Sequence, residues 1–152
     1  ALEAIRPRRL DLRGQPVVVD RERDGFAKIA VSLGHCSEPQ NVMSGGQSCV
    51  LDHACESCPF FLVDPLERDG IEAKRHHLSV KKERALVIQA SRHMIEHYES
   101  RIDDCTRIIE GIDAYVEKLD PVEKTAIKDA LTKMSEIRRR ASAPEPSTYV
   151  RC

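Results

Sequence analysis

Cys36, Cys49, Cys55 and Cys58 fall within 23 residues of one another, the last two as Cys55-x-x-Cys58. A Cys-x-x-Cys turn can aim two thiolates at one ion. A second pair returned by a loop completes a tetrahedron with Zn–S distances of about 2.3 Å. The stretch from Gly34 to Asp64 is rich in Gly, Pro, Ser and Cys and shows neither helical nor strand periodicity, so apolar burial alone cannot shape it. A Zn2+ ion held by the four cysteines would act as the missing core. Four-sulfur zinc sites are closed to water and substrate, and they contribute roughly 10–16 kcal/mol of apparent folding energy. His35 and His53 each stand close to a cysteine, in "HC" and "HAC", so a site of three cysteines and one histidine stays open.

Other uses of these thiols fit less well. A redox dithiol at Cys55 and Cys58 would lack the neighbouring βαβ pattern and would leave Cys36 and Cys49 unexplained. Structural disulfides need an oxidising compartment, and nothing in the chain signals one. Cys105 reads as a small buried hydrophobe within a helical seam, and Cys152 lies in the tail. A second motif, "HMIEH" from His93 to His97, matches the inverted zinc-protease pattern and would place His93, Glu96 and His97 on one helix. Its register turns both imidazoles outward, away from any cleft, which makes it a solvated helix face.

The elements that must position the thiols follow from pattern. Residues 1–33 form a leading segment with short strand candidates at "RRLDL" and "PVVVD", divided by the turn signal "RGQP". The cysteine module occupies 34–64. After it, "DPLE" supplies Asp64 as a helix cap and Pro65 in the first turn, and "DPVE" at 120–123 repeats the signal. Between them, Ile88, Ile95, Ile102, Ile109 and Val116 recur every seven residues. Ser91, Tyr98, Cys105, Ile112 and Leu119 fall three residues after each, as the a and d positions of a coiled-coil seam. An unbroken helix over 65–119 would run about 80 Å; Gly70 and the weakly patterned 72–84 are where a bend is expected. Residues 65–140 thus read as a helical arm and hairpin, and 141–152, with two prolines, as a disordered tail. The fold expected is mainly α: a small zinc-stapled loop/β module, a long helix, then a helical hairpin with coiled-coil character.

Composition narrows the function. The 152 residues are 32% charged and 4% aromatic with no tryptophan, too little aromatic mass for a large enzyme core. No apolar run approaches a membrane span and no secretory signal is readable, so a cytoplasmic protein is expected. Charge is uneven along the chain. The segment 35–64 has no Lys or Arg, whereas Arg6, Arg8, Arg9 and Arg13 precede it and Lys74, Arg75, Lys81, Lys82 and Arg84 follow. Cations of this kind neutralise phosphates without reading sequence, so these nine are the candidate DNA contacts.

The run "LGHCSEPQNVMSGGQSC", then Cys55-x-x-Cys58-Pro-Phe-Phe and an Asp-Pro helix start, resembles the C-terminal region of tyrosine-recombinase-type site-specific integrases of actinobacterial and related mobile elements. The likeness is carried by Pro39, Asn41, Val42, Gly45, Gly46 and the four cysteines, over about residues 31–66. The family often has Pro where this chain has Val50. The resemblance implies a bacterial cytoplasmic protein and an accessory region of a recombinase, with zinc bracing helices near DNA or a neighbouring protomer. A homo-oligomer through the helical seam is one form of that contact. The family's nucleophilic tyrosine and Arg-rich box map onto none of these residues, so a catalytic part is expected upstream of Ala1. A freestanding zinc and coiled-coil adaptor that binds protein is the alternative.

Overall fold

The structure, a computed structural model, describes residues 9–17 and 28–142. It is mainly helical. Three short antiparallel strands, β1 (Ile29–Val31), β2 (Gly34–Cys36) and β3 (Phe61–Val63), form one sheet in the order β1-β2-β3, and a five-residue helix α1 (Pro39–Met43) follows β2. Three long helices come next: α2 (Arg68–Val87), α3 (Arg92–Glu117) and α4 (Pro121–Ala141). Leu10, wholly buried, exchanges both backbone hydrogen bonds with Val63 at 2.9 Å, so the leading segment pairs with the sheet on the free side of β3. The candidate strand "PVVVD" extends beyond the described residues, and the proposed tail lies outside them from residue 143 onward.

The core is where the sheet meets α2 and α3. Phe61 and Val63 pack with Leu10, with Ile71 and Leu78 from α2, and with Cys105, Ile108, Ile109, Ile112 and Tyr115 from α3. Ile71, Leu78 and Ala85 are the buried residues of α2, one in every seven. That single apolar line is why 72–84 looks unpatterned; one helix runs through it without a break, and through Gly70 as well.

The break comes elsewhere. Helix α2 ends at Val87 with Gln89 in the left-handed region (φ +54°). The Gln89 N–H donates to the Leu86 carbonyl at 3.1 Å and the Ala90 N–H to the Ala85 carbonyl at 2.9 Å. These two bonds close a Schellman motif, normally marked by glycine and here built with glutamine. Ser91 then caps α3, its Oγ accepting from the Met94 N–H. The expected a position Ile88 is 76% exposed in this turn, and the d position Ser91 is a cap. The seven-residue seam therefore does not extend N-terminal to α3. Its lower part, Cys105, Ile109 and Ile112, is buried inside the chain and so is taken up by α2 and the module.

The pairing of helices also differs from the expectation. The tight antiparallel hairpin is α2 with α3, whereas α4 contributes no buried residue. The start of α4 is as expected: Asp120 Oδ1 accepts from the Val122 and Glu123 N–H groups, both at 2.9 Å, and Pro121 opens the helix. Its far end is tied to the body by Arg138 to Glu67 at 2.6 Å. A cleft of about 300 Å³ between Leu33, Gly70, Ala73 and Ser135 keeps it from close packing. One close approach is built on glycines. Gly14, at φ +75°, rests on Gly111 of α3, and a β-carbon on Gly111 would lie 2.9 Å from the Gly14 nitrogen.

Candidate metal centre

The cysteine module is folded by its own polar groups. Glu38 Oε2 accepts from the Asn41 N–H at 2.6 Å and so starts α1. Asn41, 2% exposed, turns its amide inward: Nδ2 donates to Cys36 Sγ at 3.4 Å and Oδ1 accepts from the Ser48 N–H at 3.1 Å. One side chain thus holds the β2 thiol and the loop that leads to Cys49. Gly45 and Gly46, both at positive φ, close that loop, with the Gly46 N–H donating to the Asn41 carbonyl at 2.8 Å. Asp52 and His53 are consecutive non-glycine residues in the left-handed region, an uncommon conformation. It delivers the His53 N–H to Cys49 Sγ at 3.4 Å. Cys55–Ser57 is a 3-10 turn that presents Cys58, and the Phe61 N–H donates to the Cys58 carbonyl at 3.1 Å as β3 begins. In the sheet Phe61 pairs with Cys36, which brings the two halves of the module together.

Cys36, Cys49, Cys55 and Cys58, all free thiols, line one small cavity together with Val31, Asn41, Leu51, His53, Ala54 and Phe61. Its volume is about 20 Å³, close to what one water-sized sphere needs. His53 is on the lining. His35 is not: adjacent to Cys36 in a strand, it faces the opposite way, and its Nε2 lies 3.2 Å from Arg9 Nη2. Burial, then Arg9 and Lys28, hold its imidazole below the usual range.

Among the described residues, no group of three or more His, Cys, Asp or Glu side chains is gathered in a way that could hold a metal ion. The donor set nevertheless suits zinc in kind. Four soft ligands share one cavity, and two of them already accept N–H groups of the type that orient metal-bound thiolates. What is lacking is closure to ligand spacing. Burial pushes the Cys55 thiol up; Lys74 opposes this, while Cys49 and Cys58 add to it. Metal binding requires thiolates, so uptake of an ion would release protons from the site.

The knuckle between Cys55 and Cys58 also grips the helices, which no pattern in the sequence announces. Glu56 has a side chain only 1% exposed; its Oε1 accepts from Arg101 Nε on α3 at 2.5 Å. Its Oε2 lies 2.5 Å from Lys74 Nζ on α2, an ion pair close in distance without the angles of a formed hydrogen bond. Burial would raise the Glu56 carboxyl, but Lys74 and Arg101 outweigh it and hold the group below the usual carboxylate range. The next residue, Ser57, donates its hydroxyl to Asp104 Oδ2 at 2.5 Å. Burying a carboxylate is costly unless it is paired, and Lys74 and Arg101 supply the pairing.

Comparison of the chain with family models, with curated proteins and with solved structures finds no match.

The nine candidate DNA contacts separate into groups. Lys74 is committed to Glu56, Arg75 bonds Glu72 and Thr106 Oγ1, and Lys82 lies 3.9 Å from Glu99. Arg9 is turned to His35. These four are engaged within the chain, because each sits where α2 or the leading segment meets another element. Lys81 and Arg84 are exposed on the outer side of α2, and Arg13 is exposed on the turn against α3. Arg6 and Arg8 lie outside the described residues. His93, Glu96 and His97 are exposed on the first turns of α3, and Glu96 Oε1 accepts from Arg92 Nε at 2.7 Å. No helix among the described residues is long and apolar enough to cross a membrane.

Proposed function

We propose that this chain is a non-catalytic accessory region of a DNA site-specific recombinase. In this reading Cys36, Cys49, Cys55 and Cys58 close on a structural Zn2+ ion, and the folded module holds the α2/α3 hairpin against DNA. The observation that carries the reading is the lining of one ion-sized cavity by all four thiols, with the intervening glutamate fixed to both helices. The ion, when bound, supplies structure rather than reaction chemistry, since four thiolates leave no open position. The residues of the chain do the rest. Asn41 and the His53 backbone orient two thiolates, and Glu56 and Ser57 seat the knuckle on the hairpin. The resemblance of residues 31–66 to recombinase C-terminal regions supports the DNA partner. So does the exposure of Lys81, Arg84 and Arg13.

Titration of a fluorescent duplex at two salt concentrations tests the DNA contact. Binding is expected to weaken steeply with salt. The double variant Lys81→Ala/Arg84→Ala should lower the slope of log K against log[salt] by about 2, near 0.9 for each phosphate no longer neutralised. Binding that ignores salt, or none at low salt, overturns it. A second reading, a zinc-stapled adaptor for protein, is favoured by one observation. Leu86, Val87 and Ile88 are 45%, 81% and 76% exposed at the tip of the hairpin, and Met94 beside them is 47% exposed. The same titration separates the two.

A further inference from the structure

The Cys55–Cys58 knuckle divides its four residues between two tasks. The outer two, Cys55 and Cys58, line the thiol cavity; the inner two, Glu56 and Ser57, bond to the helical hairpin. Glu56 reaches both helices at once, with Lys74 on α2 and Arg101 on α3 each 2.5 Å from one of its oxygens. A four-residue turn has few conformations, so whatever fixes the position of the two thiolates also fixes that of the carboxylate. The converse holds equally.

We infer that Glu56 is a positioning residue for the metal centre: its clasp by Lys74 and Arg101 presets the knuckle for Zn2+, and bound Zn2+ in turn locks α2 against α3. The inference rests on the four-cysteine reading above. It goes further by assigning metal affinity to two cations that touch no thiol-bound ion and lie on the hairpin rather than in the module. Lys74, placed among the DNA contacts by its sequence context, is reassigned to this task. Coupling between sites is reciprocal, so the hairpin must gain from the ion what the ion gains from the hairpin. Without the clasp, the knuckle must be ordered at the moment of binding, which weakens affinity by the fraction of chains in which it is already set.

The test measures Zn2+ affinity of the full chain under reducing conditions, in competition with a chromophoric chelator. Glu56→Gln keeps shape and removes charge, and Arg101→Gln removes one arm of the clasp; each should weaken Zn2+ binding roughly 10- to 100-fold, the range for partners that orient ligands. Arg101→Lys should recover part of the loss. Ile109→Val, which loosens the same core away from the knuckle, should change affinity less than about threefold. Should Glu56→Gln fail to fold, the Arg101 pair decides. Amide exchange supplies a readout independent of the competitor: Zn2+ should slow exchange in α2 and α3 of the parent protein and do so less in Arg101→Gln.

Parent protein that binds Zn2+ while the variants bind it equally well overturns the coupling and leaves the metal reading standing. Equal losses in Ile109→Val and Arg101→Gln also overturn it, since the effect is then general destabilisation. Parent protein that takes up no Zn2+ overturns the metal reading and the coupling together.

Discussion

Gly111→Ala sets two physical effects against each other in one atom. Within a helix, alanine is favoured over glycine by about 0.8–1.0 kcal/mol, so an isolated α3 would gain from the change. In the folded chain the new β-carbon would stand 2.9 Å from the Gly14 nitrogen, 3.0 Å from its α-carbon and 3.2 Å from the Arg13 carbonyl carbon. All three are backbone atoms, which cannot rotate aside as a side-chain tip can. The turn Asp11–Gln15 would have to lift, and it is anchored by the Asp11 N–H to the Gln15 carbonyl at 3.0 Å and by buried Leu10 next to it. Overpacking of this sort costs about 1–3 kcal/mol. Set against the helical gain, a net loss of about 1 kcal/mol is expected. Urea unfolding followed by circular dichroism measures it, with Ala114→Gly as a control. Ala114 is exposed on the same helix and should lose about 1 kcal/mol, which confirms that the propensity effect operates there. A Gly111→Ala protein more stable by about 1 kcal/mol would refute the docking of the leading segment on α3.

Ile88→Ser should change stability by less than about 0.5 kcal/mol, because Ile88 lies exposed in the interhelical turn, whereas Ile109→Ala should cost about 2–5 kcal/mol; similar losses at both sites would restore a continuous seam. Burial raises the Cys105 thiol from an ordinary value near 9 to about 11. The unfolded chain therefore loses its proton at lower pH than the folded one, so stability should fall as pH rises from about 9 to about 11. Urea midpoints across that range should decline more steeply in the parent than in Cys105→Ala, and equal slopes would contradict the burial of that thiol.

The elements with local chemistry were legible. Asp64-Pro65 and Asp120-Pro121 announce helix starts through a cap oxygen and a proline in the first turn, and both helices begin there or within one 3-10 turn. The loop between α2 and α3 was not, because its stop signal is glutamine in a conformation usually taken by glycine, and because Ile88 and Ser91 happen to continue a seven-residue count. Periodicity cannot distinguish a helix that continues from one that turns back in register. The partner of α3 was hidden for a related reason: α2 buries Ile71, Leu78 and Ala85, an apolar line too thin to stand out in the sequence. At the site, the four cysteines singled out by their spacing line one cavity, though not at the spacing of metal ligands. The clasp on Glu56 did not, since ion pairing across elements 18 and 45 residues away leaves no local pattern. For the same reason, a run of cations reads as one basic surface although Lys74, Arg75 and Lys82 are engaged inside the chain.

Zinc K-edge X-ray absorption on protein purified under reducing conditions without added chelator tests the central claim most directly. Four sulfur neighbours at about 2.3 Å, from one zinc per chain, are expected. A zinc-free protein that is folded, or a first shell dominated by nitrogen and oxygen, would contradict the account.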